Sequence, residues 1–418
     1  MTRTSWGFWL ALSCLAVACA EGPTLLEARK GFETTLTREV READGGLPAP
    51  PPSLFTKVEV PTALGPMGAY LGVAPEEGTR HPAIVWLVGG FPAGGAGEFV
   101  WEEPDPENDQ SAQAYRHAGL VMLYPTLRGS YGNPGHQETF FGEVDDVLAA
   151  IEYLRHVDYV DPNRIYLGGH STGGTLALLV AASTERLKGV IAFGPVGDPS
   201  TYGDEVLTYD PANAKERELR SPIRFLSAIK VPTLVIEGEG GNYDSLLALR
   251  DASTNPKVRF APILGGGHFD ILAPLNDLLA PRLAAMPREL SMAELAEPEE
   301  LAKVYADHAR AQREAADLSN LAELRARGVS LREPVKVEHY LFAREREPLA
   351  AAREAAGRAG FEPSEVEERT DRDGDTFYAL VLRKSAVLGN LELVFAISDR
   401  VRGFAREHDL YYSGWDVE

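Results

Sequence analysis

The run Gly169, His170, Ser171, Thr172, Gly173 stands between an apolar stretch, Ile165–Leu167, and a helix-forming one that begins at Thr172. That setting suits a nucleophilic serine. On a sharp strand-to-helix turn the serine takes strained backbone angles, and small neighbours at 169 and 173 let the chain fold back without clashing. The new helix aims free amides and its positive dipole end at a developing oxyanion. A serine hydroxyl is a poor nucleophile at neutral pH and needs a base. His268 is the best placed, because it follows the run Arg259–Ile263 and a flexible loop, Leu264 to Gly267. His81 precedes a strand, His308 and His408 sit in helical segments, and His339 belongs to a second domain. His170 adjoins Ser171, but its side chain points away and packs the elbow.

A carboxylate after the strand Val231–Ile236 would orient the imidazole and stabilise its charge. Glu239, just past Gly238, is the first choice. Asp244 reads as the cap of the next helix, Glu237 as still inside the strand, and Asp198 as a more distant candidate. The oxyanion hole needs two amides: Thr172 supplies one, and Gly90 or Phe91, in the glycine loop after Ile84–Val88, supplies the other. Taken alone, that loop is a tight turn. No metal or cofactor is called for. The chain has no H-E-x-x-H run, Cys/His cluster or phosphate-binding glycine loop, and Gly89 and Gly90 lack dinucleotide spacing.

The elements that must position these groups are short β-rich runs at Val58–Val60, Ala69–Val73, Ala83–Val88, Leu120–Tyr124, Ile165–Leu167, Val190–Phe193, Thr233–Ile236 and Arg259–Ile263. Helical patterns at Glu143–Leu154, Thr172–Ala182 and Ser245–Ala252 alternate with the later ones. The alternation predicts an α/β fold, a doubly wound and mostly parallel sheet with helices on both faces. Past Pro281 the composition turns to Ala, Glu, Arg and Leu, a helical connector. A second alternation follows: strands at Val335–Phe342, Phe361–Glu367, Phe377–Arg383 and Leu410–Trp415, with helices at Pro348–Arg358 and Leu391–Arg406. It predicts a small α+β domain of the split βαβ, ferredoxin-like type. The boundaries read 1–19 signal, 20–53 tether, 54–286 first domain, 287–317 connector and 318–418 second domain.

The order of glycine loop, serine elbow, acid loop and histidine resembles the α/β-hydrolase fold. Within it, Arg128 to Gly132, the helix with Asp145 and Asp146, and Val160 to Ile165 resemble the catalytic domain of the prolyl oligopeptidase family, over about Lys57 to Ala284. The resemblance implies Ser171 as nucleophile and His268 as base. That family carries an aspartate about three residues past the glycine matching Gly238, where this chain has Gly240 and Gly241. The family's peptidases also carry a β-propeller, for which there is no room here, so peptide specificity does not transfer. Arg128 reads as tying its loop to the body, and Asp145 and Asp146 as helix-start charges with no catalytic role. The tail from about Leu318 resembles regulator of ribonuclease activity B, on Val337 to Phe342, Ala359 to Phe361 and Tyr411 to Trp415.

Residues 1–18 pair a short charged start, Met1 to Arg3, with an apolar run, Trp6 to Ala18, too short to cross a bilayer. Ala16, Val17, Ala18 before Cys19 resembles a bacterial lipobox, which implies lipidation at Cys19 and an exported, lipid-anchored protein of the cell envelope. Plain cleavage near Ala20 is the alternative. Both cysteines, Cys14 and Cys19, lie in this segment, so the rest has neither disulfide nor thiol nucleophile. The net charge of −21 over 418 residues disfavours nucleic acid as a partner. The expectation is a serine hydrolase acting on a small ester, amide or short peptide through an acyl-enzyme on Ser171. The rivals are a non-catalytic binding or scaffolding lipoprotein, and a regulator whose second domain binds a protein partner.

Overall fold

The computed structural model describes residues 22–42, 45–76, 78–91, 96–287, 295–372 and 374–418. The signal segment and Cys19 lie outside them. The chain divides into two compact units, Met1–Ala306 and Asp307–Glu418.

The first unit is built on an eight-stranded sheet: β1 (Phe55–Thr62), β2 (Gly65–Gly72), β3 (His81–Leu87), β4 (Val121–Pro125), β5 (Val160–His170), β6 (Gly189–Phe193), β7 (Thr233–Gly240) and β8 (Val258–Gly267). Their spatial order is β1-β2-β4-β3-β5-β6-β7-β8. β1 and β2 pair antiparallel with each other, β2 pairs antiparallel with β4, and every later pairing is parallel. This is the α/β-hydrolase arrangement the pattern predicts. All eight strands carry a predicted apolar run. β3, β4 and β6 are buried almost end to end, as parallel strands covered on both faces must be. The helices Glu143–Arg155, Thr172–Ala181 and Tyr243–Ala252 fall where the periodicity places them. The middle one is buried on every side, so its sequence is apolar all round.

The N-terminal tether is overturned for the described part of 20–53. Leu25 is fully buried and its amide donates to Ala182 O at 3.1 Å. Thr24 and Glu27 form a capping box, Arg29 pairs with Asp145 at 2.8 Å, and Thr35 N donates to Glu216 Oε1 at 2.7 Å. Further on, the hydroxyl of Tyr70 donates to Pro48 O at 3.0 Å. Polar anchors and a few apolar contacts, Leu25 and Phe32 among them, hold the described part of this arm, and the apolar residues are too few to announce it in the sequence.

In the second unit β9 (Pro334–Ala343), β10 (Glu362–Pro363), β11 (Glu367–Thr370), β12 (Thr376–Val387) and β13 (Tyr411–Val417) form an antiparallel sheet ordered β10-β12-β9-β13, with β11 also on β12. Helices Arg346–Arg358 and Leu391–Glu407 complete the ferredoxin-like pattern. The predicted strand Phe361–Glu367 is two short ones, β10 and β11. The separate connector 287–317 is also corrected. Its helix, Pro298–Ala326, continues past 317, and Leu321 and Leu324 join the second unit's core. Among the described residues, no helix is long and apolar enough to cross a membrane.

That core also holds a polar cluster. Asp317 receives Arg402 Nη2 at 3.0 Å and Trp415 Nε1 at 2.9 Å, while His339 Nδ1 meets the Tyr412 hydroxyl at 2.9 Å. Burial, with Arg402 nearby, pushes the His339 imidazole down to about 3. A histidine depressed in the folded state contributes its full stability above the unfolded value of roughly 6.5 and loses it as pH falls towards 3. Lowering pH from 7 to 5 should therefore cost the second unit about 2 kcal/mol. Hydrogen exchange in β9 and β13 will report this, and His339→Gln should flatten the dependence.

Candidate active site

β5 delivers His170 to the sheet's edge, and Ser171 follows at φ 56°, ψ −116°. Few non-glycine residues adopt such angles without outside support. The support is close backbone packing. Ser171 N donates to Phe193 O at 2.8 Å, a Cβ on Gly169 would lie 2.5 Å from Gly173 O, and one on Gly173 would run into Leu87 O. The glycine spacing around the serine is thus required by backbone atoms of β3, β5 and the new helix. Thr172, the first residue of that helix, has an amide that no intrahelical carbonyl can satisfy. Its hydroxyl donates to Gly90 O at 2.7 Å. Peptide planarity then turns the Phe91 amide the opposite way from that carbonyl. The Phe91 ring packs edge-on against Phe140 and Tyr202, at 6.1 and 5.1 Å between centroids.

His268 comes from the turn after β8. Its Nδ1 lies 2.9 Å from Oε2 of Glu237, whose side chain has no exposed surface. The same carboxylate accepts from Gly238 N at 2.7 Å and Asn242 N at 2.8 Å. The ring of His268 lies 4.5 Å from that of His170, and His170 Nε2 is 3.0 Å from the His268 carbonyl, so the histidine sits against the serine elbow. Gly194, at φ 58°, lies beneath the pair: a Cβ there would come within 2.5 Å of His268 Cε1 and 2.7 Å of Glu237 Oε2.

The first-choice acid is therefore corrected. Glu239 is exposed and its carboxylate accepts from Gly265 N at 2.9 Å. Two residues along a regular strand return a side chain to the same face, but the pairing of β7 with β8 shifts register between Gly238 and Gly240, and Glu239 turns to Gly265 instead. Asp244 is not the helix cap either, since that place belongs to Asn242. Asp198 caps a short turn through Ser200 N at 3.0 Å and takes the Ser221 hydroxyl at 3.2 Å. A signal for Glu237 was present, the first charge after the apolar run Val231–Ile236. Gly241 gives the physical reason it serves, because a Cβ there would lie 2.6 Å from Glu237 Oε1. The long glutamate side chain fills, from the strand end, the space that a side chain from the loop would enter.

Arg128 is buried and committed. It gives Nε and Nη2 to Asp146 at 2.9 and 2.8 Å and Nη1 to Glu138 at 2.5 Å, and its own amide also reaches Asp146. Asp145 pairs with Arg29. A cavity of about 570 Å³ opens beside the acid loop, lined by Asp198, Thr201, Ile223, Tyr243 and others, but neither Ser171 nor His268 lines it. Among the described residues no cluster of His, Cys, Asp and Glu could hold a metal ion.

Comparison with known proteins follows the division into units. Residues 106–241 match the prolyl oligopeptidase family. This prolyl oligopeptidase segment contains Ser171 and Glu237 and stops short of His268. Residues 314–417 match regulator of ribonuclease activity B. Among curated proteins, the quorum-quenching protein AidA of Acinetobacter baumannii is 38% identical over 82 residues, 20% of this chain and 27% of that protein. Regulator of ribonuclease activity B of Salmonella typhi is 33% identical over 79 residues, 19% of this chain and 56% of that protein. The chain thus spans from about a quarter to just over half of these relatives. Among solved structures, a Mycobacterium tuberculosis puromycin-hydrolyzing peptidase is 20% identical with a TM-score of 0.45, covering 56% of this chain and 40% of that one.

Gly194→Ala tests the packing beneath the pair. The added methyl group meets both ring and carboxylate at a positive φ, so an unfolding free energy lower by about 1–3 kcal/mol is expected. Histidine NMR should show the His268 ring signals displaced; unchanged melting and unchanged signals would contradict the packing described.

Proposed function

We propose that the first unit is a serine hydrolase that cleaves an ester, amide or peptide bond through an acyl-enzyme on Ser171. The observation that carries this reading is the fully buried Glu237 on Nδ1 of His268, held by two amides beside the strained serine elbow. With Nδ1–H donated to Glu237, Nε2 of His268 is the free base. It takes the Ser171 hydroxyl proton as Oγ bonds to the substrate carbonyl carbon, and Glu237 stabilises the resulting imidazolium. The carbonyl oxygen, now negative, accepts from the amides of Thr172 and Phe91. As the tetrahedral centre collapses, the bond to the leaving group breaks and Nε2–H protonates that group. Water, deprotonated by the same nitrogen, then attacks the acyl carbon and releases the acid with Ser171 restored.

A non-catalytic scaffold would be favoured by the absence of a carboxylate at His268, and the Glu237 contact supports the catalytic reading instead. The similarity of the second unit to regulator of ribonuclease activity B supports a protein partner for that unit. Export with a lipid anchor on Cys19 remains part of the proposal, supported by the signal-like start of the sequence. Palmitate labelling in a bacterial host, lost in Cys19→Ser, is the expected result; equal labelling of both would reject it.

Active-site labelling with a fluorophosphonate tests the chemistry. Wild type should label, and Ser171→Ala and His268→Ala should not. Glu237→Gln should slow labelling by about 10²–10⁴-fold, while Glu239→Gln stays near wild type. Thr172→Val keeps its own amide but frees the Gly90–Phe91 peptide, and turnover should fall about tenfold or more with a similar melting temperature. A folded wild type that fails to label would reject the reading.

A further inference from the structure

His170 has no part in the steps above, yet it is fully buried in the strand that carries the nucleophile. Alternation along β5 turns its side chain away from Ser171, and three groups converge on it. Its Nε2 lies 3.0 Å from the main-chain oxygen of His268. Its ring lies 4.5 Å from the His268 ring and 5.2 Å from that of Phe269. On the other side, Nδ1 is 3.3 Å from the side-chain amide oxygen of Gln110, whose main-chain carbonyl receives Trp86 Nε1 at 2.8 Å. The glycine loop closes over this contact. A Cβ on Gly89 would lie 3.0 Å from His170 Nδ1 and 3.0 Å from the Gln110 amide oxygen.

The geometry points to a specific task. Glu237 fixes the rotation of the His268 ring, but a bond to Nδ1 does not itself set the position of the main chain of residue 268. Buried His170 is positioned to donate to the main-chain carbonyl of His268. Because residue 170 is covalently joined to the nucleophile, this bond ties the base's main chain to the residue preceding Ser171. Displacements of about 1 Å between reacting groups cost on the order of a hundredfold in rate. We propose that His170 is a positioning residue whose Nε2–H holds the main chain of His268 at a fixed distance from Ser171 through acylation and deacylation. This rests on the acyl-enzyme reading given above.

The imidazole must stay neutral for the task. Protonation would place a second cation against the His268 imidazolium and add an N–H at Nδ1. Burial, reinforced by His268, pushes the His170 value down to about 3, so the ring remains neutral wherever His268 can act as a base. With Nε2 protonated, Nδ1 is an acceptor, and a half-turn of the Gln110 amide presents it with an N–H.

The experiment is steady-state hydrolysis of a p-nitrophenyl ester by the full chain, with melting temperatures for each variant. His170→Gln sets an amide N–H near the place of Nε2, whereas His170→Phe keeps a ring of similar size without the donor. His170→Phe should lower kcat by about 10–100-fold with KM within twofold of wild type, and His170→Gln should recover most of that loss. A kcat for His170→Phe equal to wild type, or an equal loss in both variants, would overturn the proposal in favour of plain packing. Should neither variant fold, Gln110→Met reads the same contact from its far side: a lowered kcat at constant KM supports the proposal, and an unchanged kcat overturns it. Ser171→Ala run in parallel separates the two levels, because ester hydrolysis undiminished there would reject the acyl-enzyme reading itself.

Discussion

Glu237 has no exposed surface, and a carboxylate left unpaired in such a place costs several kcal/mol or surrenders its charge. Much of the local architecture of the first unit answers that constraint. The Gly238 amide at the end of β7 and the Asn242 amide of the turn after it converge on the carboxylate, and His268 donates from the other side. Gly194 and Gly241 are bare because their side chains would enter the space that the carboxylate and the imidazole fill. Asn242 then closes the ring of contacts, giving its side-chain amide to Gly194 O at 2.8 Å while its main-chain N–H serves Glu237. The turn after β7, the end of β6 and the loop after β8 are thereby drawn to one point, beside the serine elbow.

The elbow meets a different constraint, the volume of backbone atoms. β5 lies between β3 and β6 in the sheet, so the helix starting at Thr172 must cross carbonyls of both neighbours. A Cβ on Gly174 would collide with Phe193 O just as one on Gly173 would with Leu87 O. The strained angles at Ser171 are held by this packing and by the amide bond to Phe193, not by any feature of the serine. Arg128 plays a matching part in the loop after β4. Its own amide and three guanidinium N–H groups bind Asp146 and Glu138 and hold the loop to the helix Glu143–Arg155. Glu143 beside it, raised to about 7 by burial against the pull of Arg128, shows how little water reaches this layer.

What the sequence reveals follows from which forces leave a periodic trace. The eight strands, the helix after Ser171 and the fold of the second unit come from apolar patterns, and each is recovered with its ends shifted by a few residues. The sharp turn at Ser171 and the loop that presents His268 are legible because a glycine-flanked turn and a glycine-rich loop are local signals. Which carboxylate meets His268 is not, because Glu237 and Glu239 differ by two residues on one strand, and the outcome depends on where β7 ends relative to β8 and on Gly194, 43 positions earlier in the chain. The arm from Leu25 to Pro48 fails for a related reason. Its polar anchors are single contacts to Asp145, Ala182 and Glu216, each remote in sequence.

The second unit shows the same rule about buried charge. Asp317 is nearly inaccessible and is closed off by Arg402 and the Trp415 indole, while the Arg402 guanidinium also lies 5.4 Å from the Tyr412 ring centre. These partners come from the helix Pro298–Ala326, the helix Leu391–Glu407 and the final strand, so the cluster can form only when all three have docked. A small domain of this size buries little apolar surface per residue. A satisfied ion pair in its core contributes less to stability than to register, since any sliding of β13 would leave Asp317 short of a donor. The Tyr411 to Trp415 ending that carried the resemblance in the sequence is therefore a structural signature. It fixes how the last strand sits in the sheet.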